Sequence, residues 1–371
     1  MAEKNANSDL YDEAVLAMLL LLRFSESVKA EAFSRLRLLE KKLGALIQTF
    51  DPTSPTRRDS QLKQLRLLTK EANKEIKKTM AFIQKKNKKS YLGYGSIESR
   101  RAINALNKTI GFKYLDKRFT KKQIEEITDK TLIDGKTIDE VFKDQTIAME
   151  KRFKAEATDY LAEYQLAGRT GSEASGILDR MKVLGGMLVF SKKAIDSISQ
   201  TTITATAQDV RRSANDQASD IILYHEWISI LDGATTPGCR IRAGKLYDEN
   251  YRPVGHKVPF GSGPPRHWRC RATISIILKP IEELDKVDKR FSSLPQKQRV
   301  AFGGQVPQDT TFNGWLKTRP ETEQMEILGK KRWVLWKNNN LSVSDMVNQA
   351  DRQITLVELE KLIKSGVIGS K

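Results

Sequence analysis

The stretch Trp227–Leu278 decides the fold of this chain. It begins W-I-S-I-L-D-G-A-T-T-P-G-C-R-I-R-A-G-K-L-Y at Trp227 and closes P-F-G-S-G-P-P-R-H-W-R-C-R-A-T-I-S-I-I-L at Leu278. Both cysteines, Cys239 and Cys270, and two of the three histidines, His256 and His267, fall within it. The flanking sequence is helical in pattern and highly charged, so the physical character of the chain changes here.

Local patterns within this stretch predict two strands joined by a rigid loop. Residues 227–231 alternate large apolar and smaller side chains, as a half-buried strand does. A second β-rich run spans 273–278. The proline- and glycine-rich segment 252–266 cannot form a regular helix, because proline removes a donor and fixes φ. We call residues 227–280 the β-knuckle.

The polar residues of the β-knuckle also follow an ordered pattern. A Trp is followed by Asp-x-x-Thr-x-x-x-Cys, then Gly-Lys-x-Tyr, then Pro-Pro-x-His-x-x-Cys-Arg. This order and spacing resemble the phage head morphogenesis family, the minor head proteins typified by protein F of phage Mu. The matching positions are Trp227, Asp232, Thr235, Cys239, Gly244, Lys245, Tyr247, Pro264, Pro265, His267, Cys270 and Arg271.

The resemblance implies a minor head (capsid) protein of a tailed bacteriophage, associated with the portal vertex and the genome. Such a protein acts in head assembly, DNA packaging or DNA ejection. The implied partners are the phage portal protein, major capsid or scaffold proteins and non-specifically bound double-stranded DNA, without a membrane. The implied location is the virion, near the portal of the phage head, after assembly in the host cytoplasm. We expect no enzymatic activity.

Two positions depart from the family pattern and bear on metal binding. Family members often carry Cys-x-x-Cys at the first site and Cys-Arg-Cys at the second, where this chain has Arg242 and Ala272. A Cys₄ zinc site is therefore excluded. We expect the loop to be held by packing and hydrogen bonds, without a metal or other cofactor. The alternative is a structural zinc bound by Cys239, His256, His267 and Cys270.

A structural network is expected at the ends of the two strands. Asp232 follows the first strand and is placed to accept backbone N–H groups of the next turn. Arg271 begins the second strand, where its guanidinium can pair with the same carboxylate. We predict that Asp232, His267 and Arg271 fix the loop and are not catalytic.

Composition narrows the class of protein. The chain has 371 residues and a formal net charge of +18, which predicts attraction to polyanions and to nucleic acid first. Two cysteines do not make a disulfide scaffold and fit a reducing compartment. The apolar run 14–22 is too short to span a bilayer.

The sequence before the β-knuckle predicts an αα-hairpin. One helix spans 10–50, with Leu36, Leu39, Leu43 and Leu46 on one stripe, and a second spans 59–86. The sequence YLGYG at 91–95 is expected to end the second helix. Lysines near its end are weakly opposed by acids and are predicted to contact DNA. These lysines are Lys77, Lys78, Lys85, Lys86, Lys88 and Lys89.

The predicted fold class is mainly α with a small α+β module. Four consecutive regions are expected: a basic N-terminal helical hairpin at 1–92, a helical middle at 93–226, the β-knuckle at 227–280 and a helical tail at 281–371. The middle includes a helix from 192 to about 224, rich in Ala, Ser and Thr, which permits close approach of another backbone.

Enzymatic interpretations find little support in the motifs. The chain has neither Gly-x-Gly-x-x-Gly nor Gly-x-x-x-x-Gly-Lys-Ser/Thr, so no phosphate-binding loop is predicted. A metal-dependent nuclease is the alternative function, because His267 stands among arginines and Asp232 or His256 is available as a second ligand. A DNA-cleavage assay with added metal separates the two functions.

Overall fold

The computed structural model describes residues 6–48, 58–116, 118–166, 176–229, 236–295, 316–317, 319–341, 343–346 and 354–369. The protein is mainly helical with a small sheet, which confirms the predicted fold class. None of the described helices combines the length and the apolar character that crossing a bilayer requires. The long helices are α1 (Ala6–Gln48), α2 (Arg58–Ile110), α4 (Ile138–Leu166) and α5 (Gly176–Asp216).

Helices α1 and α2 form the predicted antiparallel hairpin. Glu31 contacts Lys86 at 3.1 Å, and Lys42 contacts Glu75 at 2.5 Å. The second contact lies 11 residues later in α1 than the first (31 to 42) and 11 residues earlier in α2 (86 to 75). The two helices therefore run in opposite directions. The predicted leucine stripe is buried, with one exception. Leu46 is only partly buried, and Ile47, at 3% exposure, continues the stripe in its place. Its other buried members are Leu36, Leu39 and Leu43.

The predicted end of the second helix at 91–95 is wrong, because α2 continues unbroken to Ile110. Tyr91 and Tyr94 are buried at 0% and 4% exposure, so side-chain burial stabilises helix where the glycines disfavour it. Gly93 has no atom near the position of an added Cβ, so close packing does not require glycine there. Tertiary packing overrides local propensity in this segment.

The chain forms two compact units, each built from separate segments. One contains Phe24–Gly95 and Lys121–Thr206, and the other contains Met1–Arg23, Ser96–Thr120 and Ala207–Lys371. The four consecutive regions expected from the sequence stay a prediction. The first unit also holds α3 (Lys121–Lys130) and the two-stranded pair of β1 (Leu132–Ile133) and β2 (Lys136–Thr137).

Helix α5 extends the predicted Ala/Ser/Thr-rich helix toward the N-terminus and ends earlier, at Asp216. Its middle is buried on every side, from Ile198 to Gln208. Buried hydroxyls there bond to carbonyls one turn back, as Thr202 does with Ile198 at 2.8 Å. Such bonds let a helix with small polar side chains lie inside a core.

A four-stranded antiparallel sheet belongs to the second of these units and carries the β-knuckle. Its strand order is β5 (Pro253–Val254), β4 (Leu246–Tyr247), β3 (Ile222–Ser229) and β6 (Ala272–Leu278). The long pair β3–β6 runs from Ile222 opposite Leu278 to Ser229 opposite Ala272. The first strand thus begins five residues before the predicted Trp227, since its register matches the full length of β6.

Short helices complete this unit. Within the β-knuckle lies α6 (Pro237–Arg240), and α7 (Ile281–Val287) and α8 (Lys289–Ser292) follow the sheet. The tail carries α9 (Glu321–Leu328), α10 (Lys330–Asn338) and α11 (Leu356–Lys364). Trp336, buried at 4% exposure, packs in a core cluster with Ile228 of β3, so the tail contributes to the core beside the sheet.

Candidate functional site

The candidate site lies in the β-knuckle, where the backbone of Trp227 is fixed by the Gly-Lys pair. The Trp227 N–H donates to Lys245 O at 3.0 Å, and the Gly244 N–H donates to Trp227 O at 2.8 Å. Gly244 has φ of +70°, the left-handed region in which a side chain is strained. Glycine at this position therefore allows the chain to turn into β4.

The Trp227 side chain connects the strand to the first cysteine. The indole is fully buried, and its Nε1–H donates to Ser229 Oγ at 3.0 Å. Ser229 Oγ–H donates in turn to Cys239 O at 3.0 Å. Because Trp227, Cys239 and Cys270 belong to one buried cluster, the motif residues form the core of the β-knuckle. The other members of that cluster are Tyr247, Phe260, Ala272 and Ile274.

Cys239, His267 and Cys270 meet at the centre of the site. Cys239 Sγ lies 3.2 Å from His267 Nε2 and 3.7 Å from Cys270 Sγ. The three donor atoms all lie within 4.8 Å of one another. Thr236 Oγ1 is 3.0 Å from His267 Nε2, and His267 Nδ1 is 2.8 Å from Trp268 O. Residues 31 positions apart in sequence are thus brought into direct contact.

The contacts within the cluster shift the pKa values of all three side chains. The hydrogen bond from Cys270, followed by the one from His267, lowers the pKa of the Cys239 thiol. The same contact with Cys239 raises the pKa of His267, and it raises the pKa of Cys270 as well. These contacts therefore favour the ionised form of Cys239 and the protonated form of Cys270, relative to an ordinary thiol.

His256 does not join the cluster. Its Nε2–H donates to Leu246 O at 2.8 Å, and its Nδ1 accepts from the Val258 N–H at 3.1 Å. Both ring nitrogens are therefore committed to the backbone of the loop and of β4. The four-ligand zinc alternative, which required His256, is wrong in that respect, and the cluster offers three ligands.

Arg242, at a position where family members often have cysteine, has a clear structural role. Its Nε–H donates to Pro259 O at 3.1 Å, and Nη1–H donates to Gly238 O at 2.7 Å. The guanidinium carbon also lies 5.8 Å from the Trp227 ring centre. Arg242 is 5% exposed, and its two hydrogen bonds connect the proline loop to α6. Ala272, the other departure, is buried in β6.

The expected network of Asp232, His267 and Arg271 falls partly outside the described residues. Asp232 and Thr235 lie in the segment 230–235, which is not described. His267 instead contacts Thr236, Cys239 and Trp268. Arg271, predicted to begin the second strand, lies one residue before β6. The prediction that Asp232 belongs to this network therefore stays a prediction.

Several residues of the site are not predicted by the sequence patterns. Thr236 contacts His267, and Ser229 links Trp227 to Cys239. Phe260 lies edge-on to Trp227 and Tyr247, with ring centres 5.7 and 5.0 Å apart. The only sequence signal for Phe260 was one aromatic residue inside a proline- and glycine-rich loop. Predicting the two hydroxyl contacts requires three-dimensional placement.

The predicted DNA-binding lysines lie along α2 and differ in their surroundings. Three have acidic partners: Lys77 pairs with Glu150, Lys86 with Glu31 and Lys88 with Asp129. The others are exposed and have no ion-pair partner within the parts of the chain that the structure covers. These are Lys78, Lys85 and Lys89.

The geometry bears on the nuclease alternative and on the access of a substrate to Cys239. Within the described ranges, the only cluster of potential metal ligands contains sulfur and nitrogen donors and no carboxylate. A cation that binds phosphate during phosphodiester cleavage prefers oxygen ligands. Cys239 is 3% exposed, so a substrate has little access to its sulfur atom.

Comparisons with protein-family models, with curated proteins and with solved structures find no match to this chain. The fold and the site define a mainly helical protein with a small antiparallel sheet. Side-chain hydrogen bonds hold the loop that this sheet carries.

Proposed function

We propose that this chain is a minor head protein of a tailed bacteriophage, acting at the portal vertex in head assembly, DNA packaging or DNA ejection. The observation that supports it is the convergence of the motif residues. Trp227, Cys239, Tyr247 and Cys270, spread over 44 positions (227 to 270), are at most 3% exposed and share one core cluster. Contact among these residues is what a shared structural motif requires.

The role we assign to the β-knuckle is structural. Its polar side chains donate to one another or to backbone carbonyls, which fixes a loop rich in proline and glycine. A rigid surface loop lowers the ordering cost of binding a partner, here the portal or capsid proteins. The chain is proposed to act without catalysis, in contrast to the nuclease alternative.

Two observations test this function, one on the genome and one on the purified protein. The gene should lie beside genes for a portal protein and a terminase. Purified protein should leave linear double-stranded DNA intact in the presence of Mg²⁺, Mn²⁺ or Zn²⁺. Cleavage that requires metal and is lost in His267→Ala, with an active control nuclease in parallel, would favour the nuclease alternative instead.

The DNA partner rests on the charge of the chain and on the lysines of α2. We propose non-specific contact between these lysines and the phosphates, so affinity should be independent of sequence and should fall steeply with salt. Removing one lysine–phosphate pair should reduce the slope of log K against log salt by about 0.9.

A matched pair of triple variants separates direct contact from net charge. Lys78, Lys85 and Lys89 changed to Gln should weaken DNA binding and flatten the salt slope. Lys77, Lys86 and Lys88 changed to Gln remove cations that already face acids, so the effect should be smaller. If neither set changes affinity or slope, the DNA contact lies elsewhere on the chain.

A further inference from the structure

The geometry of Cys239, His267 and Cys270 points to a zinc site, and we propose that these three side chains bind one Zn²⁺ in the folded protein. The inference rests on the arrangement of the donor atoms and does not depend on the proposed phage function. It departs from the sequence-based expectation of no metal, and it replaces the four-ligand alternative with a three-ligand site.

Two of the three distances between the donor atoms are close to those of a tetrahedron around zinc. With Zn–S near 2.3 Å and Zn–N near 2.0 Å, tetrahedral angles place two sulfurs about 3.8 Å apart and sulfur and nitrogen about 3.5 Å apart. The Cys239–Cys270 sulfurs are 3.7 Å apart, and Cys239 Sγ is 3.2 Å from His267 Nε2. The third distance, between Cys270 Sγ and His267 Nε2, is at most 4.8 Å, so the three donor atoms surround one small volume.

The histidine is held in the tautomer that a metal requires. With its proton on Nδ1, the imidazole donates to Trp268 O at 2.8 Å, which leaves the Nε2 lone pair directed toward the sulfurs. A hydrogen bond from the second ring nitrogen is the usual support of a zinc-binding histidine. His256 shows the opposite case, because both of its nitrogens bond to backbone groups.

Charge balance also favours zinc at this buried position. Two thiolates and a neutral imidazole carry a charge of −2, which Zn²⁺ neutralises, and Cys239 and Cys270 are 3% and 0% exposed. Three protein ligands leave one position of a tetrahedral ion, and Thr236 Oγ1 lies beside the cluster at 3.0 Å from His267 Nε2. The ion would join α6 to the end of the proline loop directly before β6.

The test is metal analysis of the full-length chain. Protein purified under reducing conditions without chelator, supplied with Zn²⁺ and then dialysed, should contain about one zinc per chain. Replacing zinc with Co²⁺ should give the visible absorption of tetrahedral cobalt bound to thiolate. Both measurements use the wild-type protein, so neither depends on whether a variant folds.

Variants then assign the ligands. Cys270→Ser and His267→Ala should each lower zinc affinity at least about 100-fold, the upper end of what losing even an outer-shell partner costs. His256→Gln, in the same loop, should retain the zinc stoichiometry and the cobalt spectrum. Wild-type protein without stoichiometric zinc or cobalt–thiolate absorption would overturn the proposal. So would a Cys239–Cys270 disulfide in protein kept under reducing conditions.

Discussion

The hairpin of α1 and α2 is packed by aliphatic side chains, whereas the β-knuckle is fixed by hydrogen bonds from polar side chains. In the hairpin, Leu36, Leu39 and Leu43 recur at helical spacing and are at most 1% exposed. In the β-knuckle, Arg242, Ser229 and His267 each contact a backbone carbonyl. The first kind of packing tolerates a change of apolar shape, but the second requires particular donors at particular places.

The largest effect should come from creating a cavity in the hairpin. Leu39 is 1% exposed, so Leu39→Ala should lower the free energy of unfolding by about 2–5 kcal/mol. Its neighbour Leu38 is 46% exposed, and Leu38→Ala should change it by less than about 0.5 kcal/mol. Chemical denaturation measures both. Equal losses in the two variants would mean that this stripe is not a packed core.

The corresponding change in the β-knuckle removes a donor. Arg242→Ala leaves the carbonyls of Gly238 and Pro259 without the guanidinium, and a buried unsatisfied group costs about 1–3 kcal/mol. We therefore expect a loss of about 2–3 kcal/mol, with Arg242→Met no better than Ala because volume alone does not restore the bonds. The exposed Arg252→Ala is the control and should be nearly neutral. Full stability in Arg242→Met would show that packing dominates here too.

A pH-dependent effect is expected in β3. Burial raises the pKa of Glu226 to about 7, above its ordinary 4.5. The native state then keeps a proton that the unfolded chain releases, so stability falls as pH rises from about 4.5 through 7. Glu226→Gln should raise the free energy of unfolding by about 1–3 kcal/mol at pH 8 and leave it nearly unchanged at about pH 4. Denaturation across this pH range checks it, and an equal gain at both pH values would contradict the ionisation argument.

The smallest effects should have opposite signs at two glycines. Gly244 has φ of +70°, so Gly244→Ala should destabilise by about 1 kcal/mol. Gly93 lies inside α2 with open space at the Cβ position, so Gly93→Ala should stabilise by about 0.5–1 kcal/mol. Thermal unfolding of the two variants measures whether each substitution lowers or raises the stability. A loss at Gly93 would mean that the segment 91–95 needs its glycines after all.

The contrast between the two regions also explains what the sequence could predict. The helical hairpin, most of the leucine stripe, strand β6 and the end of β3 followed from sequence patterns, because burial on one face leaves a repeating pattern. The continuation of α2 through residues 91–95 did not, since the burial of Tyr91 and Tyr94 overrides the two local glycines.

In the candidate site, the sequence predicted the identity of the site residues more accurately than their contacts. Cys239, His267 and Cys270 were singled out by their order and are in contact. That His256 turns to the backbone, and that Arg242 fastens the loop at a cysteine position, depends on where the proline segment runs in space. No local spacing encodes that path.

Quantitative mass spectrometry of purified particles tests the central claim most directly, using the phage whose genome encodes this chain. We expect peptides of this chain to be present after nuclease treatment and density-gradient purification. They should occur at a few copies relative to the many copies of the major capsid subunit. Absence of the chain from particles, while it is abundant in the infected-cell extract, would contradict a head protein and leave a role outside the virion.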